Sequence, residues 1–173
     1  MFKPLIYNFQ LKKKPQNWRI LFADLILLAL LSGPMAAPYL AQLGVFPFNI
    51  IASIIYFMGG AVCPQPEMGL MVSPPHLMAV CMRCYGLLLA LLITRLLYIR
   101  DRGRSWYWLS QYRFRGATIA TILTCAYLGE MLIQEFQWWD YNNWIVSAFG
   151  SVAGLGIGLF IVPVLYRRPD SSR

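Results

Sequence analysis

The chain has 173 residues, a length suited to one domain, of which 58% are hydrophobic and 13% charged, with a mean hydropathy of +0.53. Soluble domains carry roughly 45–50% apolar and about 25% charged residues, so this composition excludes an ordinary soluble fold and points to an integral membrane protein. The net charge of +8 does not indicate a nucleic-acid partner, because the Lys and Arg residues fall in blocks at 3–19, 95–115 and 167–173 that flank apolar runs, the pattern of the positive-inside bias.

In chain order, residues 1–19 form a basic cytoplasmic arm with Lys12, Lys13 and Lys14 and with Trp18 at its boundary. Residues 20–43 supply the roughly 20 apolar positions that a membrane helix needs, and Pro34 and Pro38 are expected to kink its outer half. Asp24, about one turn inside, is read as an interfacial acid near a Lys or Arg.

Residues 45–62 are apolar but short, with Pro47 near one end and Gly59-Gly60 near the other. Cation placement assigns this stretch. No Lys or Arg occurs from residue 20 to residue 82, and apolar runs follow at 77–99, 116–133 and 144–166. If 45–62 dips in and returns, or lies at the interface, all three basic blocks share the cytoplasmic side, and only Arg83 does not. The expected fold is therefore an all-α integral membrane helical bundle, a single transmembrane domain over 20–166. It has four transmembrane helices plus a re-entrant or interfacial helix before the cysteine loop. Both termini, including the tail 167–173, are cytoplasmic, and the cysteine loop is periplasmic or lumenal.

Irregular backbone at membrane depth needs protein cover, so the four spans are expected to wrap residues 45–76. Trp106, Tyr107, Trp108 and Tyr112 read as anchors at the inner surface, and Phe136, Trp138, Trp139, Tyr141 and Trp144 as anchors at the outer one. Gly150, Gly154 and Gly158, with Ser147 and Ser151 beside them, make a small-residue face for close packing within the bundle.

The chemistry lies in residues 63–86. Three of the four cysteines, the one histidine and an isolated arginine occur there. Ser73-Pro74 reads as a helix start, which would place Cys81 and Cys84 one turn apart on one helix face, with Cys63 arriving from the preceding segment. Cys63, His76, Cys81 and Cys84 form a donor set for zinc or another soft metal ion, with Cys125 a further sulfur. The same thiols suit disulfide exchange with a quinone or secreted thiols, with Cys81 and Cys84 reactive and Arg83 stabilising thiolate. They also suit a structural disulfide from Cys63 to Cys81 or Cys84, in an accessory or assembly subunit of a larger membrane complex. Whether the chain is an enzyme stays open among these readings. A cation inside a membrane needs a partner, and Glu67, Glu130 and Glu135 are the candidates, Glu130 foremost because it lies within a span.

The run Cys63-x-Gln65 … His76-x-Met78-x-Val80-Cys81-x-Arg83-Cys84-x-Gly86 resembles the signature of the small membrane proteins of domain of unknown function family 2085. Pro34, Pro38 and Tyr56 fit it as well, and Glu130, Asn142 and Asn143 match polar positions near the family's last two spans. The family pattern opens Cys-His-Gln, whereas this chain has Pro64 in place of that histidine. The resemblance implies an architecture and no activity.

Overall fold

A computed structural model of the protein describes residues 18–101, 105–136 and 141–166, apart from the side chains of Arg19 and Glu135. The amino-terminal arm up to residue 17, the tail 167–173, Arg102, Arg104, Trp138 and Trp139 lie outside the described residues. The chain is an all-α membrane bundle with one small hairpin. The elements are α1 (Trp18–Gln42), α2 (Phe46–Val62), β1 (Gly69–Ser73), β2 (His76–Cys81), α3 (Met82–Asp101), α4 (Phe114–Glu135) and α5 (Asn143–Tyr166). Short 3₁₀ turns at Pro66–Met68 and Leu109–Tyr112 complete them. Ile20–Gln42, Met82–Asp101, Phe114–Gln134 and Asn143–Tyr166 are long and apolar enough to cross a membrane. α2, with 17 residues, rises only about 26 Å, short of the roughly 30 Å hydrocarbon core.

The bundle's centre is the seam between α3 and α5, its most extensive helix contact. The small residues of α5 create it. A methyl group at Gly150 would lie 2.0 Å from the Arg83 carbonyl oxygen, one at Gly154 2.4 Å from that of Leu87, and one at Gly158 2.2 Å from Thr94 Oγ1. Gly86 of α3 answers from the other side, 2.3 Å from the Ser147 carbonyl in the same sense, and the Ser151 hydroxyl donates to the Gly86 carbonyl at 3.3 Å. The small-residue face is thus internal packing, as its spacing implies. α4 packs on α5, and α1 packs on α2 and the hairpin.

At the other end of α3, Arg95 donates from Nε and Nη2 to the two oxygens of Asp24 at 2.7 Å each. The Tyr166 hydroxyl adds a bond of 2.9 Å to Asp24, and its ring lies 3.8 Å beneath the guanidinium. The cation that Asp24 calls for is therefore supplied by α3, and the pair fastens α1 to α3 and α5. Trp108 closes this end. It is fully buried against Tyr98, Val162 and Tyr166, which corrects its assignment as a surface anchor. Trp106 and Trp144 are instead 80% and 84% exposed.

Two further expectations fail. Ser73-Pro74 does not start a helix. Pro74 precedes Pro75, and a residue before proline is driven from the helical region. The chain reverses there instead, pairing β1 with β2 antiparallel in the register Gly69 to Cys81, Met71 to Leu77 and Ser73 to His76. α3 begins only at Met82. Nor do the spans wrap residues 45–76. In α2 only Ala52 and Gly59 are buried, while Phe46 and Phe57 stand about four-fifths exposed. A helix satisfies its own backbone and needs no cover. The cover falls on β2, where Met78, Ala79, Val80 and Cys81 are buried. Gly59 lets α2 touch the β2 backbone, since a methyl group there would lie 2.2 Å from the Ala79 carbonyl oxygen. Tyr56 adds a hydrogen bond of 2.7 Å to the Leu77 carbonyl.

The seam makes a direct prediction. Gly150→Ala drives a methyl group into the α3 backbone and should cost about 1–3 kcal/mol, read as a lower thermal midpoint of the purified protein in detergent. Gly129→Ala, with nothing within 4 Å of the added carbon, should be neutral or stabilising by up to about 1 kcal/mol.

Candidate metal centre

Three separate elements deliver three sulfurs to one point. Cys63 terminates α2, its N–H bonded to the Gly59 carbonyl at 2.8 Å. Cys81 is the last residue of β2, and Cys84 lies in the first turn of α3. Their sulfur atoms all lie within 4.8 Å of one another, with Cys63 and Cys84 3.6 Å apart. Val80 and Tyr85 pack around them. Cys63 and Cys81 are buried and Cys84 partly so, and all are free thiols. Because Cys81 closes a strand rather than continuing a helix, the Cys81/Cys84 pair is held by the β2–α3 junction and not by one helix face.

The Cys63 sulfur is the acceptor of the group. The Cys81 and Cys84 thiols donate to it, and the Cys81 backbone N–H adds a bond of 3.3 Å. Against the opposing effect of burial, the side-chain bonds from Cys81 and then Cys84 hold the Cys63 pKa far below the usual thiol range. Cys81 moves the other way, pushed up first by its bond to Cys63. Cys63 is thus the sulfur of the group most disposed to thiolate, and a soft cation can take the place of the thiol protons.

His76 is not part of the group among the described residues. It sits at the hairpin turn, five strand residues before Cys81, and an extended chain at about 3.3 Å per residue carries it roughly 16 Å away. A helix would have kept it within reach, and this is why the donor set with His76 loses that member. Cys125 is exposed on α4 and also stands outside the group.

Arg83, between Cys81 and Cys84 in the chain, is fully buried and turns toward α4. Its Nε donates to Glu130 Oε2 at 2.6 Å, and both side chains are entirely shielded. Nη1 donates to Gln65 Oε1 at 3.0 Å, Nη2 donates to Gln134 Oε1 at 2.5 Å, and the guanidinium lies 5.6 Å from the Tyr127 ring centre. The expected partner, Glu130, is the observed one. Glu67 is exposed, and the side chain of Glu135 lies outside the described residues. Gln65, Tyr127 and Gln134 were not foreseen in this role. The signal for two of them was present, because Tyr127, Glu130 and Gln134 stand at i, i+3 and i+7, one face of a helix. The Tyr127 hydroxyl also lies 3.8 Å from the Cys84 sulfur.

Residues 63–160 match the family described as predicted membrane protein (DUF2085). The chain belongs to this family. No curated protein and no solved structure matches it. The DUF2085 match opens on Cys63 and contains every residue of the thiol and arginine clusters, while α1 with Asp24 lies before it.

The ion pair sets the second prediction. Breaking a buried pair by removing one partner costs about 3–5 kcal/mol. Glu130→Leu should therefore lower the thermal midpoint sharply, whereas Arg83→Met/Glu130→Leu, which leaves no unpaired charge, should recover much of it.

Proposed function

We propose that Cys63, Cys81 and Cys84 bind one soft metal ion, zinc before others, on the non-cytoplasmic side of a membrane. The observation that carries this is the convergence of three sulfurs from three elements. A tetrahedral zinc ion with bonds of about 2.3 Å sets its sulfur ligands roughly 3.8 Å apart, and the distances here, 3.6 Å for one pair and under 4.8 Å for all, suit that arrangement. A disulfide needs two sulfurs near 2.05 Å and gives the third no part. The bonds that the Cys63 sulfur accepts from Cys81 and Cys84 lower its pKa and favour thiolate, which is the ligand form. Charge supports the sidedness: if the short α2 does not cross, Arg83 stands alone across the bilayer from the other cations.

A second reading is disulfide exchange, with a quinone or a secreted thiol as the other couple. It draws on the 3.6 Å approach of Cys84 to the thiolate-like Cys63, so the reactive pair becomes Cys63 and Cys84, with Cys81 in reserve. A disulfide staple in an accessory subunit would use the same pair.

Elemental analysis of the purified protein should give about one zinc, or another soft ion, per chain. Serine at Cys63, Cys81 or Cys84 should lower it well below one per chain, while His76→Ala and Cys125→Ser should not. Protein free of metal, with a reversible Cys63–Cys84 disulfide, would replace the metal reading by the second. For sidedness, a cysteine introduced as Glu67→Cys should react with an impermeant maleimide added outside intact cells. Labelling only after lysis would reverse the assigned orientation.

A further inference from the structure

We infer that Tyr127 is a hydrogen-bond donor to the Cys84 sulfur of the metal-bound centre and thereby sets its affinity and electronic properties. This deepens the metal reading and rests on it. Three thiolates on a divalent ion carry one excess negative charge, which a low-dielectric site stabilises only through fixed donors. The Cys81 N–H serves the Cys63 sulfur at 3.3 Å. The Cys84 sulfur has the Tyr127 hydroxyl at 3.8 Å. Either atom can donate in the free thiol. Once Cys84 gives up its proton to bind metal, the phenol holds the only hydrogen between them, so it must be the donor.

Two features fix the phenol there. Its ring faces the Arg83 guanidinium at 5.6 Å, and a cation on the ring makes the O–H a stronger donor. Arg83 is in turn held by Glu130, one turn along α4 on the same face. The other tyrosines near the cluster are turned elsewhere: Tyr85, which packs against it, reaches Met35 Sδ at 3.8 Å, and Tyr141 donates to the Met68 carbonyl at 2.9 Å. Tyr127 thus joins the sulfurs to the buried arginine through one side chain.

The test uses full-length protein loaded with Co²⁺ in detergent. Tyr127→Phe should shift the sulfur-to-cobalt charge-transfer band to longer wavelength and weaken Co²⁺ binding by at least about tenfold, the lower end for losing such a partner. Tyr85→Phe removes a hydroxyl from the same neighbourhood and should change neither. An unmoved band in Tyr127→Phe, or an equal shift in Tyr85→Phe, overturns the inference. Wild-type protein that takes up no Co²⁺ defeats the metal reading instead. That result defeats this inference with it, whereas an unmoved band in metal-loaded Tyr127→Phe defeats the inference alone.

Discussion

A buried arginine constrains this protein more than any other single feature. Placing a guanidinium inside a bilayer costs about 2.5–3.5 kcal/mol on insertion scales, and Arg83 is wholly shielded. The structure offsets this with Glu130 at 2.6 Å and with side-chain oxygens from Gln65 and Gln134. These three partners come from α4 and from the loop after α2, so satisfying one cation positions three segments. Cys84 is the next residue along α3, and Cys63 lies two residues before Gln65. The geometry that neutralises the arginine is therefore the geometry that gathers the sulfurs.

Precision at this point depends on how rigidly α3 is held. The α5 glycines bring the two backbones together, and Gly150 meets the carbonyl of Arg83 itself. At the far end, Asp24, Arg95 and Tyr166 bind α1 to the same pair of helices. α3 is thus clamped along its length, with a charged pair near each end and close packing between. α1, α2 and the hairpin reach the other three helices through these polar contacts, through the packing of Ile20 and Ala23 against Trp108, Val162 and Tyr166, and through the cysteine loop. The thiol cluster sits at that junction, where one sulfur from each of α2's end, β2 and α3 meets the others.

Much of this was legible in the amino-acid sequence. Four long apolar runs read as spans because a helix across lipid needs about 20 such residues and few alternatives satisfy its backbone. The Arg83–Glu130 pair was legible because a lone cation at depth demands an acid and Glu130 lies inside a span. The hairpin was not. Leu77 to Val80 is apolar in either period, and the Pro74-Pro75 step, which disfavours the helical region at Pro74, is a local constraint easily read as a helix start. That error carried into the site: at 1.5 Å per residue His76 stays beside the cysteines, and at 3.3 Å it does not. Burial of Trp108 was hidden as well, since an indole near a basic loop reads equally as an anchor and as a cap on a bundle.

The central claim is that one ion is held by the sulfurs of Cys63, Cys81 and Cys84 together. X-ray absorption at the edge of the bound metal tests it most directly. The account predicts about three sulfur scatterers at roughly 2.3 Å in the wild-type protein, falling to two when any one of the three cysteines is replaced by serine and metal is still retained. A first shell of nitrogen and oxygen alone, or one unchanged by removal of Cys63, would contradict it.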